Sequence, residues 1–267
     1  MEYFFSFGQA NSLKIHDLVK PKKGFKIYEL PKSKLTPAGF SILEPGLIMV
    51  AQDGGIMMPS FHSWLITPNF PFIFSADQMI DKKDTAIAII KADFQKKRLY
   101  YQVTNNLQIN DSIGSLCKIP YGYYHIRVFS KELVYLWGSD EERKSKIMAI
   151  DHNRLMNVYM SNSTIRAFDF VNQSSFLVAE DSTIKLVQAN GSSKLIFKMD
   201  LPVDGVAVDA TGTVYVSTVK GVIHYFSSDP TDFDIITERI HGELRLYRNE
   251  LFIFWRDKNM FVEIKLI

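Results

Sequence analysis

An all-β fold assembled from a repeated four-stranded unit is the architecture this sequence predicts, and three observations predict it. Seven short runs of β-branched and aromatic residues punctuate the chain at near-even intervals. The stretches between them carry the same layout of further short strands, joined by residues that reverse a chain cheaply. Helical periodicity is nearly absent.

The runs are Tyr3 to Phe7 (YFFSF), Leu47 to Ala51 (LIMVA), Ala86 to Ile90 (AIAII), Leu133 to Trp137 (LVYLW), Phe176 to Glu180 (FLVAE), Val214 to Thr218 (VYVST) and Leu251 to Trp255 (LFIFW). Successive starts lie 37 to 47 residues apart, around the ~40 to 45 residues of one four-stranded propeller blade. The first repeat begins at the N-terminus. Leu13 to Pro31 aligns without a gap to Ile184 to Pro202, and both end in an acidic residue, Leu and Pro. Phe61 to Asp84 is the least regular stretch, and Asn105 to Pro120 is polar enough to be a loop, where recognition commonly sits. Asp140 to Lys146 (DEERKSK) reads as a solvated loop rather than a helical turn.

The second half gives the clearest pair of repeats. Phe168 to Val171, Phe176 to Glu180, Ile184 to Val187 and Lys194 to Met199 match Val206 to Asp209, Val214 to Thr218, Val222 to Phe226 and Phe233 to Thr237. Glu44-Pro45-Gly46, Asn172 to Ser175, Ala210-Thr211-Gly212 and Arg248-Asn249 separate first from second strands; such residues adopt positive or pre-set φ at little cost. Val206, Val208, Val214 and Val216 alternate with Ala207, Asp209, Tyr215 and Ser217, the period of a strand.

A four-stranded sheet with two apolar faces buries both by stacking on neighbours, which favours a ring of blades. The sequence therefore predicts a single β-propeller spanning residues 1–267, with six or seven four-stranded blades and the termini meeting in or near one blade. The last repeat shows three strands, Glu243 to Tyr247, Leu251 to Trp255 and Phe261 to Leu266, so an N-terminal strand must complete it. Tyr3 to Phe7 is the simplest donor, leaving six blades and an extra hairpin at Leu13 to Leu30. If Tyr3 to Leu30 is a blade of its own there are seven, which the mean unit length favours slightly.

Composition excludes several functional classes. The 267 residues are 46% apolar and 22% charged with a net charge of +2, so neither a polybasic nucleic-acid arm nor an acidic tail dominates. Cys117 is the only cysteine, which fits a reducing interior. No apolar run approaches a membrane span, and the opening residues lack the pattern of a secretory signal. An intracellular protein, cytoplasmic or nuclear, is expected.

At Asp204 to Val216 (DGVAVDATGTVYV) the chain resembles a blade of the NHL and SMP-30-like propellers, over about thirteen residues of one repeat. The Gly-His and Trp-Asp signatures of WD40 blades are missing, since Gly138 follows Trp137 and Arg256 follows Trp255. The resemblance implies a propeller, and with it protein-binding platforms, RNA binders and metal-dependent lactonases as candidate functions. In the lactonase-like relatives Glu, Asn and Asp hold the metal; Asp53, Asp169 and Asp209 are the candidates here, each weighed against an ordinary turn residue.

Other chemistry is thinly signalled. The histidines, His16, His62, His125, His152, His224 and His241, show no metal-ligand spacing, and Cys117 has no sequence-local activating group. Asp151-His152-Asn153 places an acid beside a base, but adjacent residues ordinarily face different ways and the triplet reads as a turn. No phosphate-loop motif occurs, and Gly54-Gly55 reads as a hairpin turn. Seven lysines between Lys14 and Lys34, among them Lys20, Lys22 and Lys23, face only Asp17 and Glu29. With Phe25 interleaved they suit RNA, or else a charged edge hairpin guarded against mispairing; Lys96-Lys97-Arg98 extends the patch if it lies nearby. Trp64, Trp137 and Trp255 are candidate exposed anchors, each weighed against core packing, the commoner role, and Phe252, Phe254 and Trp255 near Arg256 mark the C-terminal repeat as a docking edge.

The expectation is thus a non-catalytic platform for protein partners, gripped at a rim or by strand addition, with no cofactor and no bound metal. The alternatives are a metal-dependent lactonase-like hydrolase and an RNA binder using the lysine-rich hairpin.

Overall fold

The computed structural model describes residues 3–6, 24–29, 37–44, 47–52, 55–60, 63–66, 73–80, 85–93, 98–104, 117–120, 122–123, 125–130, 132–139, 142, 144–152, 154–225, 229, 231–247 and 249–266, with side chains at 24–27 and from 119 onward. In chain order the first strands are β1 (Tyr3–Ser6), β2 (Phe25–Glu29), β3 (Pro37–Glu44), β4 (Leu47–Gln52), β5 (Gly55–Ser60), β6 (Ser63–Ile66), β7 (Ile73–Ile80), β8 (Thr85–Asp93), β9 (Arg98–Thr104) and β10 (Cys117–Ile119). Then come β11 (His125–Val128), β12 (Leu133–Ser139), β13 (Ser145–Asp151), β14 (Arg154–Ser161), β15 (Ile165–Asn172), β16 (Ser175–Glu180), β17 (Thr183–Gln188) and β18 (Ser193–Lys198). The last are β19 (Val203–Val208), β20 (Val214–Thr218), β21 (Gly221–Tyr225), β22 (Phe233–Glu238), β23 (Glu243–Tyr247), β24 (Glu250–Trp255) and β25 (Met260–Lys265).

Every described pairing is antiparallel, and the strands form the sheets β1-β6-β5-β4-β3, β10-β9-β8-β7, β11-β12-β13-β14, β15-β16-β17-β18, β19-β20-β21-β22 and β2-β25-β24-β23. Four of these blades are described down to their side chains, fewer than the six or seven complete blades the sequence predicts. The sheets belong to two compact units: Met1–Phe7 with Pro31–Asn162, and Gly8–Leu30 with Ser163–Ile267. In the first, β3 lies beside β7 and β7 beside β11; in the second, β15 lies beside β19 and β19 beside β23.

Within the second unit, the β19–β22 sheet shows why the chain is so rich in aliphatic residues. Val206, Val214 and Val216 pack with Ala167, Leu177, Ala179 and Phe197 of the preceding sheet. Ala207 and Tyr215, pointing the other way, pack with Leu244, Leu251, Ile253 and Val262 of the following sheet. Both faces are thus buried, and every residue of β20 is buried although polar and apolar residues alternate. Alternation here separates two covered faces rather than a wet and a dry one.

The outer strands share an irregularity. Register shifts at Ile147/Met148, Ile184/Lys185 and Val222/Ile223 leave Val158, Ile196 and Ile236 as one extra residue each in β14, β18 and β22. Each is a half-buried aliphatic residue. A bulge at the same place in three units is the structural counterpart of the sequence repeat, and it twists an edge away from unwanted pairing.

The N-terminal strands depart from the sequence expectation. The last sheet is completed by β2, paired with β25 from Phe25↔Ile264 to Glu29↔Met260, whereas β1 pairs with β6. Tyr3 to Phe7 is therefore not the donor, and Tyr3 to Leu30 does not form a blade, because its two described strands lie in different sheets. On β2, Lys26 Nζ donates to Glu263 Oε1 at 2.6 Å, and that carboxylate is 3% exposed, so the pairing sets a counter-charge against a buried acid.

The irregular stretch Phe61 to Asp84 contains β6 and β7, and the loop read at Asn105 to Pro120 ends in β10, with residues 105–116 outside the described residues. Lys144 and Glu142 are exposed and ion-paired at 2.8 Å, in keeping with a solvated turn, while Ser145 and Lys146 already belong to β13. Among the described residues, one 3₁₀ turn, Arg256–Lys258, interrupts the strands. No helix among the described residues is long and apolar enough to cross a membrane.

Candidate functional site

At one end of the sheets of the second unit, four hairpin turns use one device. Oδ1 of Asn172, Asn190, Asp209 and Asp229 accepts from the backbone N–H two residues later, at 2.9, 3.0, 2.9 and 2.8 Å. The same oxygen accepts from that residue's hydroxyl, on Ser174, Ser192, Thr211 and Thr231, at 3.0, 2.7, 2.6 and 2.7 Å. These are Asx turns, which spare the strand ends from orphan amides. At Asp229 the bonds from the Thr231 amide and hydroxyl hold the carboxyl below its ordinary value. Asp209 also accepts from Thr213 N at 3.0 Å. Its Oδ1 thus organises the turn, as the turn alternative expects. The Asn/Asp-x-Ser/Thr spacing at Asn190 and Asp229 was open to view in the sequence and escaped the strand-based reading.

Nearer the innermost strands, Asp169 is buried and its Oδ2 accepts from Val208 N at 2.9 Å, joining two adjacent sheets. Arg245 is likewise buried, with its guanidinium 2.6 Å from Glu243 Oε1. Tyr215 and His224 stack face to face on adjacent strands, with centroids 4.6 Å apart and an 8° interplanar angle. Burial, reinforced by Asp209, pushes the Tyr215 hydroxyl up to about 12, and burial lowers His224 against the opposing pull of Asp209 and Asp234.

At the opposite end of the same sheets the connection from β22 to β23 crosses the fold. Thr237 Oγ1 accepts from Val222 N at 3.1 Å and donates to Ile240 O at 2.9 Å. Gly242 N donates to Ser217 Oγ at 2.8 Å. Between them His241 Nδ1 lies 2.8 Å from Asp204 Oδ2, with Trp255 centred 6.2 Å from the imidazole. An Asp-oriented His is the skeleton of a general base, but catalysis also needs a nucleophile or oxyanion donors. Ser217 beside it is fully buried and its oxygen is taken by the Gly242 amide.

The outer strands present a different chemistry. In β14, Leu155, Met156 and Met160 are 39%, 44% and 60% exposed, and Arg154 at its start is its only charged residue. The corresponding strands β18 and β22 carry Lys194 and Lys198, and Asp234 and Glu238.

The residues singled out from sequence scatter. Lys20, Lys22, Lys23, His16, His62 and Asp53 lie outside the described residues, and Trp64 and Cys117 are placed on β6 and β10 by their backbone. Phe25 is half-buried against the core of the last sheet. Trp137 and Trp255 are buried, the core alternative to exposed anchors, and Phe252 of the suggested docking edge is buried too: Trp137 stacks on His125 at 4.8 Å, and Trp255 packs among Ile253, Leu244 and Val262. Arg256 is exposed, with its guanidinium 5.6 Å from the centre of the Phe254 ring. Asp151 and His152 do meet, at 2.6 Å, because His152 adopts a left-handed φ of 44° that turns neighbouring side chains together; the imidazole is exposed. Among the described residues no three His, Cys, Asp or Glu side chains gather as a metal site.

Comparison with solved structures establishes the fold as a β-propeller. The chain is similar to virginiamycin B lyase from Staphylococcus aureus at a TM-score of 0.62 and 9% identity, over 91% of this chain and 99% of that one. It is similar to a presumptive gluconolactonase at 0.61 and 14%, over 96% of each chain. It is also similar to the WD40 β-propeller domain of Doa1 at 0.58 and 10%, over 91% and 97%. No family model and no curated protein matches the sequence. At these identities the likeness is one of fold.

Proposed function

We propose that the protein is a non-catalytic propeller that serves as a docking platform for protein partners, in a reducing compartment. The observation that carries this reading is β14, a terminal strand of its sheet with three exposed apolar side chains and no charge after Arg154. Outer strands are commonly guarded by charge. β18 and β22 also expose Leu195, Phe233 and Ile235, but each sets two charged residues beside them, whereas β14 has none after Arg154, which a covering partner explains, most simply by strand addition. The hydrolase reading has less to stand on: Asp169 and Asp209, the described acids that would bind its metal, are engaged with backbone amides.

The test is site-specific photo-crosslinking in the cells that make the protein. A photoreactive residue at Met156 or Met160 is expected to give discrete adducts with another polypeptide, abolished by Leu155→Lys, while one at Lys194 gives none. Equal adducts from both strands, or none from β14, would remove the basis for the proposal.

A further inference from the structure

The β19–β22 sheet is polarised in charge from end to end. Its Asx-turn end carries Asp209, Asp229, Asp232 and Asp234, and no described Lys or Arg of these strands lies there. Its other end carries Lys220, in the β20–β21 turn, and Arg239, just past β22, both exposed. The two are neighbours, since Arg239 N donates to Lys220 O at 2.7 Å. From Arg239 the chain reaches the next sheet in four residues, at most about 13 Å, and His241 arrives beside Trp255. The turn that follows Trp255 adds exposed Arg256 and Lys258.

Four cations therefore occupy one edge of this unit. Among the described residues Lys220, Arg239 and Lys258 form no ion pair. Of the acids at this end, Asp204 is held by His241, which leaves exposed Asp200, Glu238 and Asp257 as the counter-charges, three against four cations. Arg239 stands at φ 68°, a left-handed conformation that is unusual for a residue other than glycine, asparagine or aspartate. Val219, 53% exposed, sits beside Lys220.

We infer that this edge docks an acidic segment of another polypeptide, with carboxylates over Lys220, Arg239 and Lys258 and an apolar side chain against Val219. Charge complementarity selects an anionic occupant. The choice of polypeptide over single-stranded nucleic acid rests on the aromatic residue: base stacking needs an exposed ring, and Trp255 is buried. The inference uses residues of the second unit alone and does not depend on β14.

The experiment is fluorescence anisotropy on the full chain at low and at elevated salt. The probes are a labelled glutamate-rich peptide with a central leucine, a lysine-rich peptide of the same length and a single-stranded RNA. The glutamate-rich peptide is expected to bind and to weaken with salt, the lysine-rich peptide not to bind, and RNA to bind more weakly. Lys220→Glu and Lys258→Glu should each weaken the acidic peptide severalfold, up to about tenfold. Lys194→Glu, the same change of net charge at the opposite end, should leave it unaltered, as should Leu155→Lys on β14. Failure of the acidic peptide to bind, equal loss in Lys194→Glu, or tighter binding of RNA would each overturn the inference, whatever the outcome for β14.

Discussion

Gly242→Ala is the substitution whose cost follows most directly from the fold. Gly242 stands at φ 145° where the β22–β23 connection crosses β24. A Cβ there would overlap the carbonyl oxygen of Phe254 and lie 2.8 Å from its carbonyl carbon. Both atoms are backbone, so no side chain can swing away. The disfavoured φ costs about 1 to 3 kcal/mol, and displacing β24 from its ladder adds on the order of one hydrogen bond, about 1 kcal/mol. A loss of about 3 kcal/mol corresponds to a fall in Tm of roughly 6 to 12 °C for a chain of this size. Gly212 supplies the internal control: its φ is 89°, but a Cβ there meets nothing within 4 Å. Gly212→Ala should cost only the backbone preference, about 1 kcal/mol, or roughly 2 to 4 °C. Thermal unfolding followed by circular dichroism compares the two. Equal shifts, or a Gly242→Ala protein that melts with the parent, would show that the crossing is not as close as described.

Thr237→Val keeps shape and removes the hydroxyl that serves Val222 N and Ile240 O, so stability should fall by about 2 to 3 kcal/mol in denaturant titration. His224 has a lowered folded pKa, so the unfolded chain takes up the proton first; this contribution is present above pH 6.5 and is lost as pH falls toward the folded value. His224→Gln should therefore flatten the stability profile just below pH 6.5. Tyr215, raised from 10.0 to about 12, makes the folded state lose stability as pH rises from 10 to 12, and Tyr215→Phe should remove that loss.

The fold was legible wherever the chain used short-range chemistry. Six of the seven apolar runs are second strands of their sheets, because a strand covered on both sides must be rich in Val, Ile and Phe wherever it occurs. Asn172 and Asp209 were legible for the same reason: an Asx turn is decided within three residues. The alignment of Leu13 to Pro31 with Ile184 to Pro202 also held real information, since it lays Phe25 to Glu29 over the outer strand region of its repeat, and β2 is indeed an outer strand. Tyr3 to Phe7 is the more hydrophobic run, whereas β2 is the strand that pairs with β25 and sets Lys26 against the buried Glu263. For Trp137 and Trp255 the sequence left anchor and core both open, because aromatic residues serve cores and interfaces alike; their burial is the core alternative. The cationic edge was invisible for a plainer reason. Lys220, Arg239, Arg256 and Lys258 come from three separate turns, and only strand pairing brings those turns to one end of their sheets.

The central claim is that Phe25–Glu29 supplies the missing strand of the last blade. Disulfide trapping in a Cys117→Ser background tests it, with Lys26→Cys and Glu263→Cys as a directly opposed pair. Oxidation should close the chain into a circular monomer that reductant reopens. A bond formed by Phe5→Cys with Glu263→Cys, and none by the first pair, would contradict it.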